Sequence, residues 1–227
     1  MMSRRTLLGT LLHTPLVRLA LTLACAGGML STATPSTATE LELYAPAPPA
    51  GSAFVRFVNA EKETYPLRLA GRALGALRPG DVSPYWVAAA GSRSASAGKY
   101  ASSLEVVAGH FYTVLIRAQG LQALQDEPHT HLAKAQLTLY NVSALKQVSL
   151  KTADGAATIL EGITPGGHAS RSVNAIAVEL AVYGDGKVLQ QLSGLNLAQG
   201  SAYSVFVLPG AAAPTVQWVP NRTDTTR

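Results

Sequence analysis

The chain has 227 residues, of which 48% are hydrophobic and 14% are charged, and its formal net charge is +5. Residues 1–38 carry three arginines and no acid, so the remainder has 15 Lys and Arg (18 − 3) against 13 Asp and Glu, a net charge near +2. This balance excludes a strongly basic nucleic-acid-binding protein. The one cysteine, Cys25, also lies in that segment, which excludes a disulfide framework in the rest of the chain.

Residues 1–38 have the features of an export signal. A basic front precedes the mostly apolar stretch 19–30, and the small residues 36–38 provide a cleavage site. The apolar stretch is shorter than the roughly 20 residues that span a bilayer. We therefore predict cleavage near Ala38 and a periplasmic location. The pair Arg4-Arg5 leaves Sec and twin-arginine export both open.

Next comes a proline-rich stretch, residues 39–52, which predicts an extended lead-in because proline disfavours helix. Short segments with alternating apolar and polar residues then follow, separated by glycine turns, and this pattern is typical of strands. Residues 53–124 predict a first β-sandwich and residues 132–221 a second, with a tail over 222–227. Helical periodicity is weak throughout, so we predict little helix.

Between the predicted sandwiches lies a linker, residues 125–131. It contains Asp126-Glu127-Pro128, two charges and a proline, and few apolar residues. We expect it to be short and exposed and to make few contacts. On that basis, we expect each half to have its own core and to fold alone.

The two halves repeat one another. Val55, Phe57 and Asn59 align with Leu137, Leu139 and Asn141 at an offset of 82 (137 − 55). A second block, residues 104–115, aligns with residues 195–206 at an offset of 91 (200 − 109). The repeats predict a tandem of two related, immunoglobulin-like β-sandwiches, an architecture common in binding and scaffolding proteins.

The predicted cores follow the apolar faces of the alternating segments. They are Val55, Phe57, Leu104, Val106, Tyr112 and Val114 in the first half, and Leu137, Leu139, Val178, Leu180, Leu195, Leu197, Tyr203 and Val205 in the second. Each half also has a glycine followed three residues later by a strand-opening tyrosine. The two pairs are Gly109/Tyr112 and Gly200/Tyr203. This spacing suits a corner at which the phenol bonds back to the backbone, although both rings could simply be core aromatics.

We found no convincing catalytic constellation. A nucleophilic serine needs an adjacent base, and the chain has no Gly-x-Ser-x-Gly sequence. His129 and His131 alternate beside Glu127, but two close ligands in a linker make a weak metal site. We predict no catalytic residue, no metal and no cofactor. Asn141 and Asn221 match glycosylation acceptors, and we interpret both as structural.

Four residues are candidates for contact with a ligand or partner: Tyr85, Trp86, Arg93 and Trp218. Neighbours on a strand point to opposite faces, so we expect either Tyr85 or Trp86 to be exposed. Aromatic rings close to an arginine suit an acidic sugar, because the rings stack on the sugar and the guanidinium pairs with its carboxylate. The alternative is that the tryptophans close the ends of the sandwiches.

Several segments resemble the AlgF family of alginate biosynthesis proteins. They include residues 43–46 with 51–56 near the mature start, and residues 150–155, 178–183 and 216–219 in the second half. The similarity spans nearly the whole mature chain and is weakest over about 60–100. It implies a periplasmic protein required for O-acetylation of alginate, a polymer of mannuronate and guluronate. The resemblance also implies partners, namely periplasmic acetyl-transfer enzymes and a membrane O-acetyltransferase.

Three functions follow from these observations. The first is a non-catalytic adaptor that holds the acetylation enzymes together, which the tandem modules and the lack of a catalytic set favour. The second is a carbohydrate-binding module that contacts the polymer through Tyr85, Trp86 and nearby arginines. The third is an acetyl carrier or transferase that uses a serine. The sequence does not choose the partner, the contacting face or the relative orientation of the two halves.

Overall fold

The computed structural model describes residues 47–224, and strands are the only regular elements in this range. The predicted export signal, most of the lead-in and the last three residues lie outside it. The prediction of an all-β chain with little helix is therefore confirmed for residues 47–224. In the same range we find no helix with the length and apolar character needed to cross a membrane.

The first sandwich has eight strands in two sheets. We call β4-β1-β7-β8 the inner sheet and β3-β2-β5-β6 the outer sheet. The strands are β1 (Ser52–Asn59), β2 (Tyr65–Leu69), β3 (Arg72–Leu77), β4 (Tyr85–Ala89), β5 (Gly91–Ala97), β6 (Tyr100–Val106), β7 (Phe111–Arg117) and β8 (Gly120–Gln125).

The second sandwich is built in the same way. Its inner sheet has the order β12-β9-β15-β16 and its outer sheet the order β11-β10-β13-β14. The strands are β9 (Ala135–Asn141), β10 (Val148–Thr152), β11 (Thr158–Ile163), β12 (His168–Val173), β13 (Ala177–Gly184), β14 (Lys187–Asn196), β15 (Ala202–Leu208) and β16 (Thr215–Pro220).

The strand pairing confirms the internal duplication. In each inner sheet the same two strands pair in parallel, β1 with β7 in the first copy and β9 with β15 in the second. The offset of 91 that aligns the sequences carries Phe111–Arg117 onto Ala202–Leu208, which are the bounds of β7 and β15. The predicted tandem of β-sandwiches is thus confirmed.

Most of the predicted core is buried. All six residues named for the first half lie in its core cluster. In the second half Leu137, Leu139, Leu180, Leu197 and Val205 are buried. Val178, Leu195 and Tyr203 pack on the same cluster but are only partly buried.

Both predicted tyrosine corners are present. The backbone N–H of Val107 donates to the Tyr112 hydroxyl at 3.0 Å, and the N–H of Ala198 donates to the Tyr203 hydroxyl at 3.0 Å. The glycine before each tyrosine has a positive φ, 77° and 69° respectively, which turns the chain at little steric cost. Two five-residue loops are therefore fixed in the same way.

The repeated asparagines are structural, as predicted for Asn141. The Asn59 side-chain amide donates to the carbonyls of Glu63 (2.7 Å) and Leu77 (3.0 Å). The Asn141 amide donates to those of Leu145 (2.8 Å) and Ile163 (3.0 Å). Both side chains are fully buried, so Asn141 is closed to glycosylation in the folded chain.

The two inner sheets face each other, so the layers stack as outer, inner, inner, outer. A third apolar cluster lies between the inner sheets, separate from the two sandwich cores. It contains Val58, Leu115, Tyr140, Val142, Phe206 and Leu208. We call this region, together with the polar groups beside it, the junction.

The end of the chain also reaches across the junction. Thr223–Asp224, part of the predicted tail, forms strand β17. It pairs in parallel with β4, so it extends the inner sheet of the first sandwich. The second half of the chain thus contributes a short strand to the first sandwich.

The expectation that the linker makes few contacts is wrong at Asp126. This residue is only 7% exposed and accepts hydrogen bonds from three side chains of the two inner sheets. Glu127 and Pro128 are exposed, as expected. Asp126 can be buried because strands far away in the sequence place hydroxyl donors around its carboxylate. The residues next to Asp126 in the sequence give no sign of these donors. The boundaries of the two domains remain a prediction.

Candidate functional site between the two sandwiches

Arg56 is the central residue of the junction. It lies on β1 between Val55 and Phe57, whose side chains enter the first core, so the alternation of the strand directs Arg56 to the opposite face. That face is covered by the second sandwich, and Arg56 is only 1% exposed. A charged side chain buried to this degree needs hydrogen-bond partners in place of water.

Four hydrogen bonds satisfy the Arg56 guanidinium. Its Nε donates to Thr113 Oγ1 and its Nη1 to Asn221 Oδ1, both at 2.9 Å. Its Nη2 donates to Tyr140 Oη and Ser204 Oγ, also at 2.9 Å. Because Thr113 lies in the first sandwich and Tyr140 and Ser204 in the second, one side chain fastens the two together.

Aromatic rings surround the same guanidinium. Its central carbon lies 4.4 Å from the Tyr85 ring centre, 4.9 Å from that of Phe206 and 5.3 Å from that of Tyr140. These distances are typical of cation–π interactions. Burial lowers the pKa of Arg56, but Tyr140, Tyr85 and Asp126 outweigh this effect and the pKa is raised overall. Arg56 is therefore charged at every physiological pH.

Asp126 supplies the negative charge of the junction. Its carboxylate accepts hydrogen bonds from Tyr85 Oη (2.7 Å), Tyr140 Oη (2.8 Å) and Thr113 Oγ1 (2.8 and 2.9 Å). Tyr140 and Thr113 also accept from Arg56, so they bridge the two charges. The result is a closed polar network, made of residues from both sandwiches, in a site of low dielectric constant.

The two tyrosines of this network are held in their neutral form. Burial raises the pKa of Tyr85 and of Tyr140 above the ordinary value. Arg56 opposes this shift in both, and Asp126 adds to it. Each phenol must keep its proton to donate to the Asp126 carboxylate.

These shifts predict that the protein loses stability in alkali. The pKa of each phenol is higher in the folded than in the unfolded chain, so the contribution is complete below the unfolded value of about 10 and disappears as the pH rises above it. We expect the free energy of unfolding, measured in urea, to fall from about pH 10 upward. Tyr140→Phe should lower stability but flatten this slope. Equal slopes in Tyr140→Phe and in the parent protein would contradict the prediction.

A pocket of about 500 Å³ opens beside the network. Its lining comes from both sandwiches and from the chain end, and includes Tyr85, Asp126, Tyr140 and Thr223. His129 also lines it, and both of its ring nitrogens are shielded from solvent and have no hydrogen-bond partner. The junction thus holds a saturated charged network and, next to it, an unsatisfied polar group.

Tyr85 and Trp86 are both buried, so the expectation that one of these two neighbours is exposed is wrong. Tyr85 is 3% exposed and belongs to the network, whereas Trp86 is 8% exposed and packs in the first core. The Trp86 ring centre lies 6.3 Å from that of Phe57. The two side chains do point to opposite faces of β4, but the inner sheet is covered on both faces, so neither side chain reaches solvent.

The other two candidates are not part of the junction network. Arg93 lies on β5 of the outer sheet and donates hydrogen bonds to the carbonyls of Ala89 and Ala90 in its own hairpin. Trp218 is half-buried on β16 and stacks on Tyr203, with ring centres 5.1 Å apart. Whether any of the four candidates contacts a partner remains a prediction.

Arg56 and Asp126, the two charged residues of the site, were missed as site residues. Arg56 has no counterpart in the duplication, since the offset of 82 places Thr138 opposite it. A charge on one copy of a repeated apolar strand, where the other copy has a small neutral residue, is the signal that could have pointed to it. Asp126 has no comparable signal.

The described residues group neither three metal ligands nor a histidine with a hydroxyl nucleophile. Residues 47–224 contain no group of three or more His, Cys, Asp or Glu side chains placed to hold a metal ion. In this range the histidine hydrogen bonds go to backbone carbonyls, those of Ala108 and Gln125. None of them joins a histidine ring to a serine or threonine hydroxyl.

These features define a tandem β-sandwich protein whose two halves are joined by a buried arginine and a buried aspartate. The chain belongs to the AlgF family, because residues 26–204 match the family model described as "Alginate O-acetyl transferase AlgF". The resemblance seen in the sequence is thereby confirmed.

Two of the relatives to which the chain is similar bear the name of the same family. The chain is 29% identical to the alginate biosynthesis protein AlgF of Pseudomonas fluorescens over 203 residues, 89% of this chain and 93% of that protein. It is 29% identical to AlgF of Pseudomonas aeruginosa over 198 residues, 87% of this chain and 91% of that protein. A solved structure of the C-terminal domain of P. aeruginosa AlgF covers 39% of this chain and 99% of that domain, at 29% identity and a TM-score of 0.36.

Proposed function

We propose that this chain is an exported, periplasmic adaptor that serves the O-acetylation of alginate without catalysing it. Its partners are the periplasmic acetyl-transfer enzymes and the membrane O-acetyltransferase of the alginate machinery. Family membership supports the pathway. The observation that carries the adaptor role is the Arg56–Asp126 network, which fixes the orientation of one sandwich relative to the other.

An adaptor works by holding two partners at a set distance. The junction is suited to this task because it combines an apolar cluster, a closed polar network and a shared strand. Two sandwiches that were only tethered would sample many orientations and would hold their partners loosely. The outer sheets and the sandwich ends remain available for partners.

Direct binding tests the proposal. We expect the purified mature chain to form a complex with at least one periplasmic acetyl-transfer enzyme in calorimetric titration and size-exclusion chromatography. Absence of binding to all of them would overturn the adaptor role. An acetyl group found on a serine of the chain by mass spectrometry, and lost with one Ser→Ala change together with polymer acetylation, would favour a carrier instead.

Lengthening the linker tests whether the linker or the junction sets the distance between the two sandwiches. An insertion of ten glycine and serine residues after Thr130, in an exposed stretch, should change the free energy of unfolding by only about 1 kcal/mol, because loop closure depends weakly on length. Polymer acetylation in cells carrying this variant should stay normal, because the junction and not the linker holds the sandwiches together. Loss of acetylation with unchanged stability would show that the linker itself contributes.

A further inference from the structure

The second sandwich is less completely closed than the first. Three partly buried apolar side chains pack on the core of the first sandwich, whereas ten pack on the core of the second. Residues that the duplication aligns show the same difference. Leu104 and Tyr112 are 5% and 6% exposed, but their counterparts Leu195 and Tyr203 are only partly buried. One side of the second core is therefore open where the first copy covers it.

The open side lies between β14 and β16, which are edge strands of the outer and inner sheets. Leu195 on β14 pairs with Val178 on β13. On the inner sheet, the Tyr203 ring stacks on Trp218 with ring centres 5.1 Å apart. The Tyr203 hydroxyl connects the two sheets, because it donates to the Asn196 carbonyl at 3.4 Å, next to Leu195.

Ile176 extends this apolar surface toward solvent. Its carbonyl accepts the Leu197 N–H at 3.1 Å, which places it beside the end of β14. Its side chain is 56% exposed, one of four large apolar side chains in residues 47–224 that are more than half exposed. We call the group of five the edge patch: Ile176, Val178, Leu195, Tyr203 and Trp218. A single exposed apolar residue is ordinary, but one that continues a partly exposed cluster marks an interaction surface.

Trp218 has no counterpart in the first copy. The offset of 91 aligns Val114 with Val205, and these residues pair with Ala123 and Trp218 respectively. The tryptophan thus stands where the first copy has an alanine, and it remains partly exposed. Tryptophan and tyrosine are the side chains that most often dominate the binding energy of protein interfaces. The difference between the copies favours a contact that the second sandwich makes and the first does not.

The two strands that border the patch carry no charge. None occurs from Val188 to Asn196 of β14 or from Thr215 to Pro220 of β16. Glu179 on β13 points to the opposite face from Val178. Exposed edge strands are usually protected by charged side chains, and the centres of protein interfaces are depleted of charge and enriched in aromatic rings. A charged ligand finds no opposite charge in the patch, so the occupant that fits is an uncharged, apolar segment of another protein.

We propose that the edge patch docks an apolar surface segment of a periplasmic acetyl-transfer enzyme. One aliphatic or aromatic side chain of that segment packs on the Trp218 and Tyr203 rings. This inference rests on the proposed adaptor function and names the face with which the chain meets one partner. Tyr203 and Phe206 project from opposite faces of β15, so the partner binds while the junction stays closed.

Fluorine NMR of the mature protein labelled with 5-fluorotryptophan tests the proposal, because Trp86 and Trp218 are the only tryptophans of the chain. Trp86 is 8% exposed in the first core and serves as the internal reference. Titration with the acetyl-transfer enzyme that the parent protein binds should change the chemical shift of Trp218 and leave that of Trp86 unchanged. A complex that forms without a change at Trp218 would overturn this proposal and leave the adaptor role standing. If no enzyme binds the parent protein, both fall.

Two matched substitutions locate the contact. Ile176→Asp places a charge in the patch on a side chain that is already exposed, so the fold should be kept and the affinity should fall about tenfold or more in calorimetric titration. Val188→Asp makes a similar change at a side chain that is 51% exposed, near the other end of β14, and should keep the affinity within about twofold. Equal affinities of the two variants would overturn the proposal. A Trp218 resonance that moves when the protein alone is diluted would do so too, because a second copy of the chain would then occupy the patch.

Discussion

Replacing Arg56 with methionine should destabilise the protein by about 3–5 kcal/mol, the cost typical of breaking a buried charge pair by removing one member. Methionine fills much of the volume but donates no hydrogen bond. Four acceptors in the junction would lose the hydrogen bond from Arg56, and only Asn221 Oδ1 would keep another donor, the Ser204 hydroxyl. The Asp126 carboxylate would remain buried without a positive charge. Urea unfolding at neutral pH measures the change.

Two comparisons show whether the network is the cause. Arg93→Met removes a guanidinium that bonds only within its hairpin, and it should cost within about 1 kcal/mol. The double variant Arg56→Met with Asp126→Asn should lose less than the sum of the two single variants, because it removes both charges together. A loss below about 1 kcal/mol in Arg56→Met would show that the network contributes little to stability.

The parts of the structure that were predictable from the sequence are those that recur in both copies. The tyrosine corners at Tyr112 and Tyr203 and the buried Asn59 and Asn141 occur twice, at matching places. Each of these side chains bonds to backbone groups within about twenty residues of it in the same half of the chain. Because such an arrangement is local, both copies of the duplicated sequence keep the residues that form it.

The junction was not predictable because it depends on what covers the second face of a strand. The alternation of the strand shows that Arg56 points away from Val55 and Phe57. The same alternating pattern arises whether that second face is in water or is buried under another sheet. Trp86 and Tyr85 show the same limit, since both of their faces are covered. At Asp126 the charge and the following proline indicated an exposed linker, and only the fold brings the hydroxyls of Tyr85, Thr113 and Tyr140 to it.

Phe206→Ala should cost about 3–5 kcal/mol and weaken the coupling between the two sandwiches. The Phe206 side chain leaves β15 on the face that points away from the core of its own sandwich and into the junction, where it is fully buried. Its ring stacks on Tyr140, with ring centres 4.5 Å apart, and lies beside the Arg56 guanidinium. Its truncation leaves a cavity in the junction, not in either sandwich core. The change therefore acts on the contact between the halves while both cores stay intact.

Calorimetry separates this effect from general destabilisation. We expect the parent to unfold in one transition and Phe206→Ala to show two, because each sandwich has its own core and only the junction couples them. Val188→Ala, which removes a side chain that is 51% exposed, should leave the single transition in place. If Phe206→Ala still melts in one transition at a lower temperature, the sandwiches are coupled by more than the junction cluster.

In cells, the adaptor role predicts that alginate acetylation falls in Phe206→Ala even below its melting temperature, because loosely joined sandwiches no longer fix the spacing of their partners.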